Sequence, residues 1–97
     1  MYVLTSRWIV PDLEVAKATT TVAKQWFKAA GVDNVSALII ATGEHVGQMQ
    51  FVVRYADEAA YANVVPQWRA SRDYVDILAK AKASGATMVD QVHYREL

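Results

Sequence analysis

The chain has no cysteine, and only two histidines, two prolines and four glycines among its 97 residues. Without cysteine there is no disulfide, thiol nucleophile or thiolate metal site, a usage that suits a reducing compartment. Two histidines without HExxH-like company give no basis for a metal centre, and no metal is expected. Ten basic residues balance ten acidic ones, with no basic stripe. Phosphate neutralisation needs clustered Lys or Arg, so a nucleic-acid partner is not expected. No apolar run approaches membrane-spanning length. The N-terminus opens directly into strand-like sequence, so the expectation is no signal peptide, no membrane partner and a cytoplasmic location. There is no serine elbow, no phosphate-cradling glycine loop and no carboxylate pair spaced for glycoside chemistry, and no cofactor is expected.

What is present is apolar side chain: 54% of the residues, including three Trp, five Tyr and two Phe. The length fits a single domain spanning residues 1–97. A domain of this size buries only about 60–65% of its unfolded surface. Part of so much apolar material is therefore expected to meet a partner subunit.

Hydrophobic periodicity divides the chain. Tyr2–Val10 favours a strand, which Pro11 ends because it has no N–H to donate. Asp12 is placed to cap a helix over Leu13–Ala30, whose apolar stripe runs Leu13, Ala16, Thr20, Ala23, Phe27 and Ala30. Gly31 is a natural stop. Val35–Thr42 and Gln48–Tyr55 read as two strands joined by a glycine-bracketed hairpin. A helical region opens at Asp57 and continues through Tyr61, Val64, Val65 and Trp68, with Pro66 predicting a kink or break near Ala62–Pro66. Helical spacing resumes near Asp73, Gly85 stops it, and Thr87–Leu97 forms the last strand. The order β-α-β-β-α-β is that of the α+β ferredoxin-like split βαβ arrangement. It predicts an antiparallel sheet of strand order 4-1-3-2 with both helical regions on one face.

The other face then needs water, a ligand or a partner sheet. The sets assigned to it are Val3, Thr5, Arg7 and Ile9; Val35, Ala37, Ile39 and Ala41; Gln48, Gln50, Val52 and Arg54; and Thr87, Val89, Gln91, His93 and Arg95. This mixed face suits a second copy packed sheet to sheet. His93, beside Gln91 and Arg95, is the candidate acid or base. Arg7 and Arg54 are candidates to hold an oxyanion. The bland readings stand beside these: a hydrogen-bonding histidine at a seam, and arginines in ion pairs with Asp90 or Glu96. Tyr61, Trp68, Tyr74, Gln50 and Gln91 are the candidate ligand-binding residues, with ordinary core packing as the alternative for the helical aromatics. His45 reads as a solvated turn residue.

Three segments carry a family resemblance: the DEAAYAN opening of the second helical region (Asp57–Asn63), the RDYVDILAKAKA stretch (Arg72–Ala83) and the SGATMVD turn into the last strand (Ser84–Asp90). With them the chain resembles the dimeric α/β-barrel superfamily, near its NIPSNAP-like and antibiotic-biosynthesis-monooxygenase-like members. The resemblance implies two ferredoxin-like sheets packed face to face, with a pocket between each sheet and its helices. It also implies a range of activities, among them cofactor-free oxidation of polycyclic phenols, haem degradation and lactone isomerisation.

The motifs of particular activities are not matched. Asn63, Trp68 and Tyr61 lack the fixed spacing of the monooxygenase pattern. Haem degradation requires an Asn on the first strand, where Thr5, Ser6 and Arg7 stand, and a His on the second helix, which has none. The muconolactone-type pattern requires a His where Trp8 and Val10 stand. Three readings follow: a homodimeric α/β-barrel protein binding a small hydrophobic or aromatic ligand; a cofactor-independent monooxygenase or isomerase acting on a phenol or lactone; and a non-enzymatic dimerisation or interaction module.

Overall fold

The computed structural model describes all 97 residues, Met1–Leu97. The elements are β1 (Tyr2–Ile9), α1 (Leu13–Ala29), β2 (Val35–Ile39), β3 (Met49–Tyr55), α2 (Glu58–Ala70), α3 (Arg72–Ala83) and β4 (Thr87–Arg95). The sheet order is β2-β3-β1-β4 with every neighbour antiparallel, as the sequence predicts. The helices pack on one face, and the fold is ferredoxin-like α+β.

Local chemistry explains the boundaries. The Asp12 carboxylate accepts from the backbone N–H groups of Glu14 and Val15 at 3.1 and 3.2 Å, which satisfies two of the orphan donors that open α1. Within α1, Thr19, Thr20 and Thr21 each donate a hydroxyl to the carbonyl four residues back, so the buried Thr19 leaves no polar group unmet. Gly31 ends the helix at φ +89°, a conformation that a Cβ disfavours, while the Val32 N–H returns to the Phe27 carbonyl at 2.8 Å. β2 closes at Ile39, short of the expected Thr42, although Ile40 and Gln48 still bond across the hairpin at 2.9 Å.

The second helical region is interrupted, and the interruption lies at Ser71, beyond Pro66. Helix α2 runs through Pro66. Proline deletes the bond to the Ala62 carbonyl, and Ala62 and Pro66 both lie on the exposed side of the helix. Ser71 instead takes an extended conformation (φ −75°, ψ 151°). Its hydroxyl donates to the Trp68 carbonyl at 2.6 Å and accepts from the Tyr74 N–H at 3.1 Å. One side chain thus closes α2 and caps α3.

The core is Tyr2, Phe27, Val32, Val53, Tyr55, Val64 and Val65. It gathers where β1 begins and β3 ends. The alternation Met49, Phe51, Val53, Tyr55 faces the helices, as does Tyr2, Leu4, Ser6, Trp8 from β1. Phe27 and Tyr55 are the largest fully buried side chains. By contrast, α3 buries none of its residues.

Two face assignments are corrected. Val35, Ala37 and Ile39 pair with Val53, Phe51 and Met49, so they face the helices, and Ser36 and Leu38 take the open side. On β4, Gln91, His93 and Arg95 pair with Ser6, Leu4 and Tyr2, which also puts them on the helix side. Asp90, Val92 and Tyr94 share the open face with Arg7, Thr5 and Val3. A β-bulge between Arg7 and Trp8 of this ladder resets the alternation, so Thr87 pairs with Ile9 of the open face. The assignments of β1 and β3 agree with the alternation of their sequences.

Candidate functional site

Toward the end of the sheet marked by Trp8, Val10 and Met49, the helices and strands part around a partly open cavity of about 350 Å³. Of its 25 lining residues 18 are hydrophobic, which suits an apolar occupant. The sheet contributes Leu4, Trp8 and Phe51, and the helices contribute Phe27, Trp68 and Tyr74. The aromatic rings hold one another: Phe27 and Trp68 lie 4.9 Å apart between centroids, and Trp68 and Tyr74 lie 5.3 Å apart with their planes at 65°. Helix α3, carrying Tyr74, Ile77, Leu78 and Ala81, forms the outer wall.

The polar groups are few. The Trp8 indole N–H donates to Ser6 Oγ at 2.9 Å. Tyr55 lines the cavity and its hydroxyl is buried without a hydrogen-bond partner. Burial pushes the Tyr55 phenol up to about 12, helped by the neighbouring Tyr61 and opposed by the charge of Arg69. The group therefore keeps its proton at neutral pH. Asp12 also lines the cavity, but its carboxylate is engaged by the first turn of α1.

Of the ligand-binding residues expected from sequence, Trp68, Tyr74 and Gln91 line the cavity. Tyr61 does not: its ring packs 4.8 Å from Tyr2 and 5.5 Å from Tyr55. Gln50 lies opposite Arg7 on the open face, across the sheet from the cavity.

His93, Arg7 and Arg54 do not converge. The Nδ1 of His93 lies 2.8 Å from the Tyr2 hydroxyl, beside the Tyr61 ring, and His93 is not part of the cavity wall. Arg7, on the opposite face, donates to Asp90 at 2.6 Å and to Gln48 at 2.5 Å. Arg54, also on that face, reaches Asn34 at 3.4 Å. The ion pair of Arg7 with Asp90 is the plainer of the two readings that the sequence allowed. Arg95 pairs with Glu58 at 2.7 Å, a contact that raises the arginine pKa further. No cluster of metal-ligating side chains occurs.

Sequence reasoning missed Trp8, Tyr55 and Arg69 as cavity residues. Tyr55 could be seen to face inward from the alternation of β3. Its lack of a hydrogen-bond partner is a tertiary property.

No protein-family profile matches the chain, and no curated protein matches it by sequence. Solved structures do. A protein from Agrobacterium tumefaciens aligns with a TM-score of 0.67 at 9% identity, covering 97% of this chain and 89% of that one. An uncharacterized NIPSNAP domain protein from Burkholderia xenovorans aligns with a TM-score of 0.63 at 11% identity, covering 100% and 95%. A putative antibiotic biosynthesis monooxygenase from Deinococcus radiodurans aligns with a TM-score of 0.56 at 12% identity, covering 97% and 91%. The chain shares their fold. The last two carry the descriptions of the groups that the sequence resembles, and at such identities the likeness is one of architecture. No helix of this ferredoxin-like chain is long and apolar enough to cross a membrane.

Proposed function

We propose that this chain is a homodimeric α/β-barrel protein whose cavity holds a small, flat, hydrophobic or aromatic ligand. The observation that carries the reading is the cavity of about 350 Å³ with its aromatic walls of Phe27, Trp68 and Tyr74. An apolar occupant of such a space gains dispersion contacts with its walls. The dimer is supported by the open sheet face. Val3, Leu38, Val92 and Tyr94 give that face exposed or half-buried apolar side chains that a second sheet would cover. The proposed barrel is thus built from two chains that each act as one domain.

Binding is favoured over catalysis by the chemistry of the walls. Tyr55 holds its proton too tightly to exchange it near neutral pH, and Asp12 is engaged as a helix cap. In this reading His93, Arg7 and Arg54 hold strands together, and Tyr61 and Gln50 support the two faces of the sheet.

The test is titration with indole, quinoline and naphthalene, followed by the fluorescence of the tryptophans, two of which line the cavity, and by the melting temperature. Saturable quenching with a rise in melting temperature is expected, and Ala81→Phe, which fills the cavity from α3, is expected to abolish both. Absence of binding by all three probes, or unchanged binding in A81F, overturns the ligand reading. A protomer mass at tens of micromolar in sedimentation overturns the dimer.

A further inference from the structure

We propose that the occupant of the cavity is an aromatic lactam, its carbonyl and adjacent N–H held by the cross-strand pair Ser6 and Gln91. This rests on the ligand-binding reading above and adds the chemical class of the ligand.

The sheet places the two residues together. Ser6 of β1 and Gln91 of β4 stand opposite each other in the antiparallel ladder, ahead of the bulge that follows Arg7. Directly opposed residues put their side chains on the same face within reach of one another. That face is the helix side, and both residues line the cavity. Gln91 sits on the exposed edge strand, where the cavity opens, and Ser6 lies deeper, only 9% exposed.

Both have hydrogen-bonding capacity to spare. Ser6 Oγ accepts from the Trp8 indole at 2.9 Å and makes no other side-chain hydrogen bond, so its own O–H is uncommitted. A buried donor left unmet is costly, and such a group marks a place where an acceptor is expected. The Gln91 amide, with two N–H donors and a carbonyl acceptor, makes no side-chain hydrogen bond within the chain. The wall has other uncommitted polar atoms, among them the Tyr74 hydroxyl. Ser6 and Gln91 differ from these in being held side by side by the register of the sheet.

The chemistry of the pair selects the class. The charged members of the wall are Asp12 and Arg69, and neither pairs with Ser6 or Gln91. A neutral group therefore meets neutral partners, with no charge to desolvate. A carboxamide is met in full by a group that carries a donor beside an acceptor. In a lactam the N–H donates to Gln91 Oε1, and the carbonyl has two lone pairs, one for Gln91 Nε2 and one for the Ser6 O–H. The fused ring then extends among the apolar and aromatic side chains of the same wall, Phe27, Trp68 and Tyr74.

The experiment compares 2-quinolone with coumarin by calorimetry, on the wild type, Gln91→Met and Ser6→Ala. The two bicycles have the same shape, but coumarin has a ring oxygen where 2-quinolone has its N–H. Coumarin thus loses one hydrogen bond and sets a lone pair against Gln91 Oε1, so the wild type is expected to bind 2-quinolone about tenfold more tightly. Q91M keeps the length of the side chain on an exposed strand. It is expected to erase the preference while changing the affinity for coumarin less than about threefold. S6A is expected to weaken both compounds severalfold, since both present the carbonyl. Equal affinity of the wild type for the two, a preference that survives Q91M, or binding of neither overturns the lactam assignment. The apolar-ligand reading falls separately, only if indole, quinoline and naphthalene also fail to bind.

Discussion

The Tyr2 hydroxyl lies 2.8 Å from Nδ1 of His93, joining β1 to the exposed edge strand β4 from the helix side of the sheet. Tyr2 is buried, and its ring also meets Tyr61 of α2, so one residue ties the edge of the sheet to the helical layer. Tyr2→Phe keeps the ring and removes the bond. It is expected to cost about 1 kcal/mol of stability, measured by urea unfolding. His93→Gln is expected to leave binding in the cavity unchanged, because His93 is outside its wall. A large loss of affinity in H93Q would contradict that separation.

Tyr55 makes stability depend on alkaline pH. Its folded-state pKa is raised to about 12 from an ordinary 10.0. Below pH 10 both states hold the proton and the contribution is constant. Between about pH 10 and pH 12 the unfolded chain releases the proton and the folded chain keeps it, so stability falls by about 2 kcal/mol, then levels off. Tyr55→Phe should remove this part of the pH dependence. At neutral pH the same substitution deletes an unpartnered buried hydroxyl, and it is expected to leave stability unchanged or raise it by about 1 kcal/mol. Urea unfolding at pH 7, 10 and 12 on both proteins checks each expectation.

Ser71 is the joint between α2 and α3. Ser71→Ala loses the acceptor for the Tyr74 N–H and the donor to the Trp68 carbonyl. A lost N-cap costs about 1 kcal/mol. Since α3 buries no residue, the effect should be local, appearing as faster amide exchange in Arg72–Ala83 with little change in the sheet. Uniformly faster exchange across the sheet would mean that α3 is more deeply coupled to the core than its burial indicates.

The open face tests the dimer. Val92 is 40% exposed and sits on the edge strand β4, beside Thr5 of that face. Val92→Lys is expected to leave the protomer folded and to convert a dimer to a monomer in sedimentation, because a charge would be desolvated between two sheets. Phe27→Ala serves as the contrast. It empties the centre of the helix–sheet core and is expected to cost about 3–5 kcal/mol, with no selective effect on association.

The sequence by itself determined the order of the elements, the antiparallel topology and the inward face of β3, because turns, caps and a clean apolar alternation are local properties. Asp12, Gly31 and the run Met49, Phe51, Val53, Tyr55 each act within a few residues of themselves. The tertiary structure decided which faces of β2 and β4 turn inward. Period-two alternation separates two sets of residues without saying which set is buried, and in β4 both sets are mixed, while a bulge with no sequence mark resets the phase near Val89. It also decided that Pro66 is tolerated within α2, where it and Ala62 lie on the exposed side of the helix. The pairing of His93 with Tyr2, the removal of Arg7 to the far side of the sheet and the unmet hydroxyl of the buried Tyr55 all arise between residues distant in the chain. Such relationships exist only once the helices have closed over the sheet, and local pattern carries no information about them.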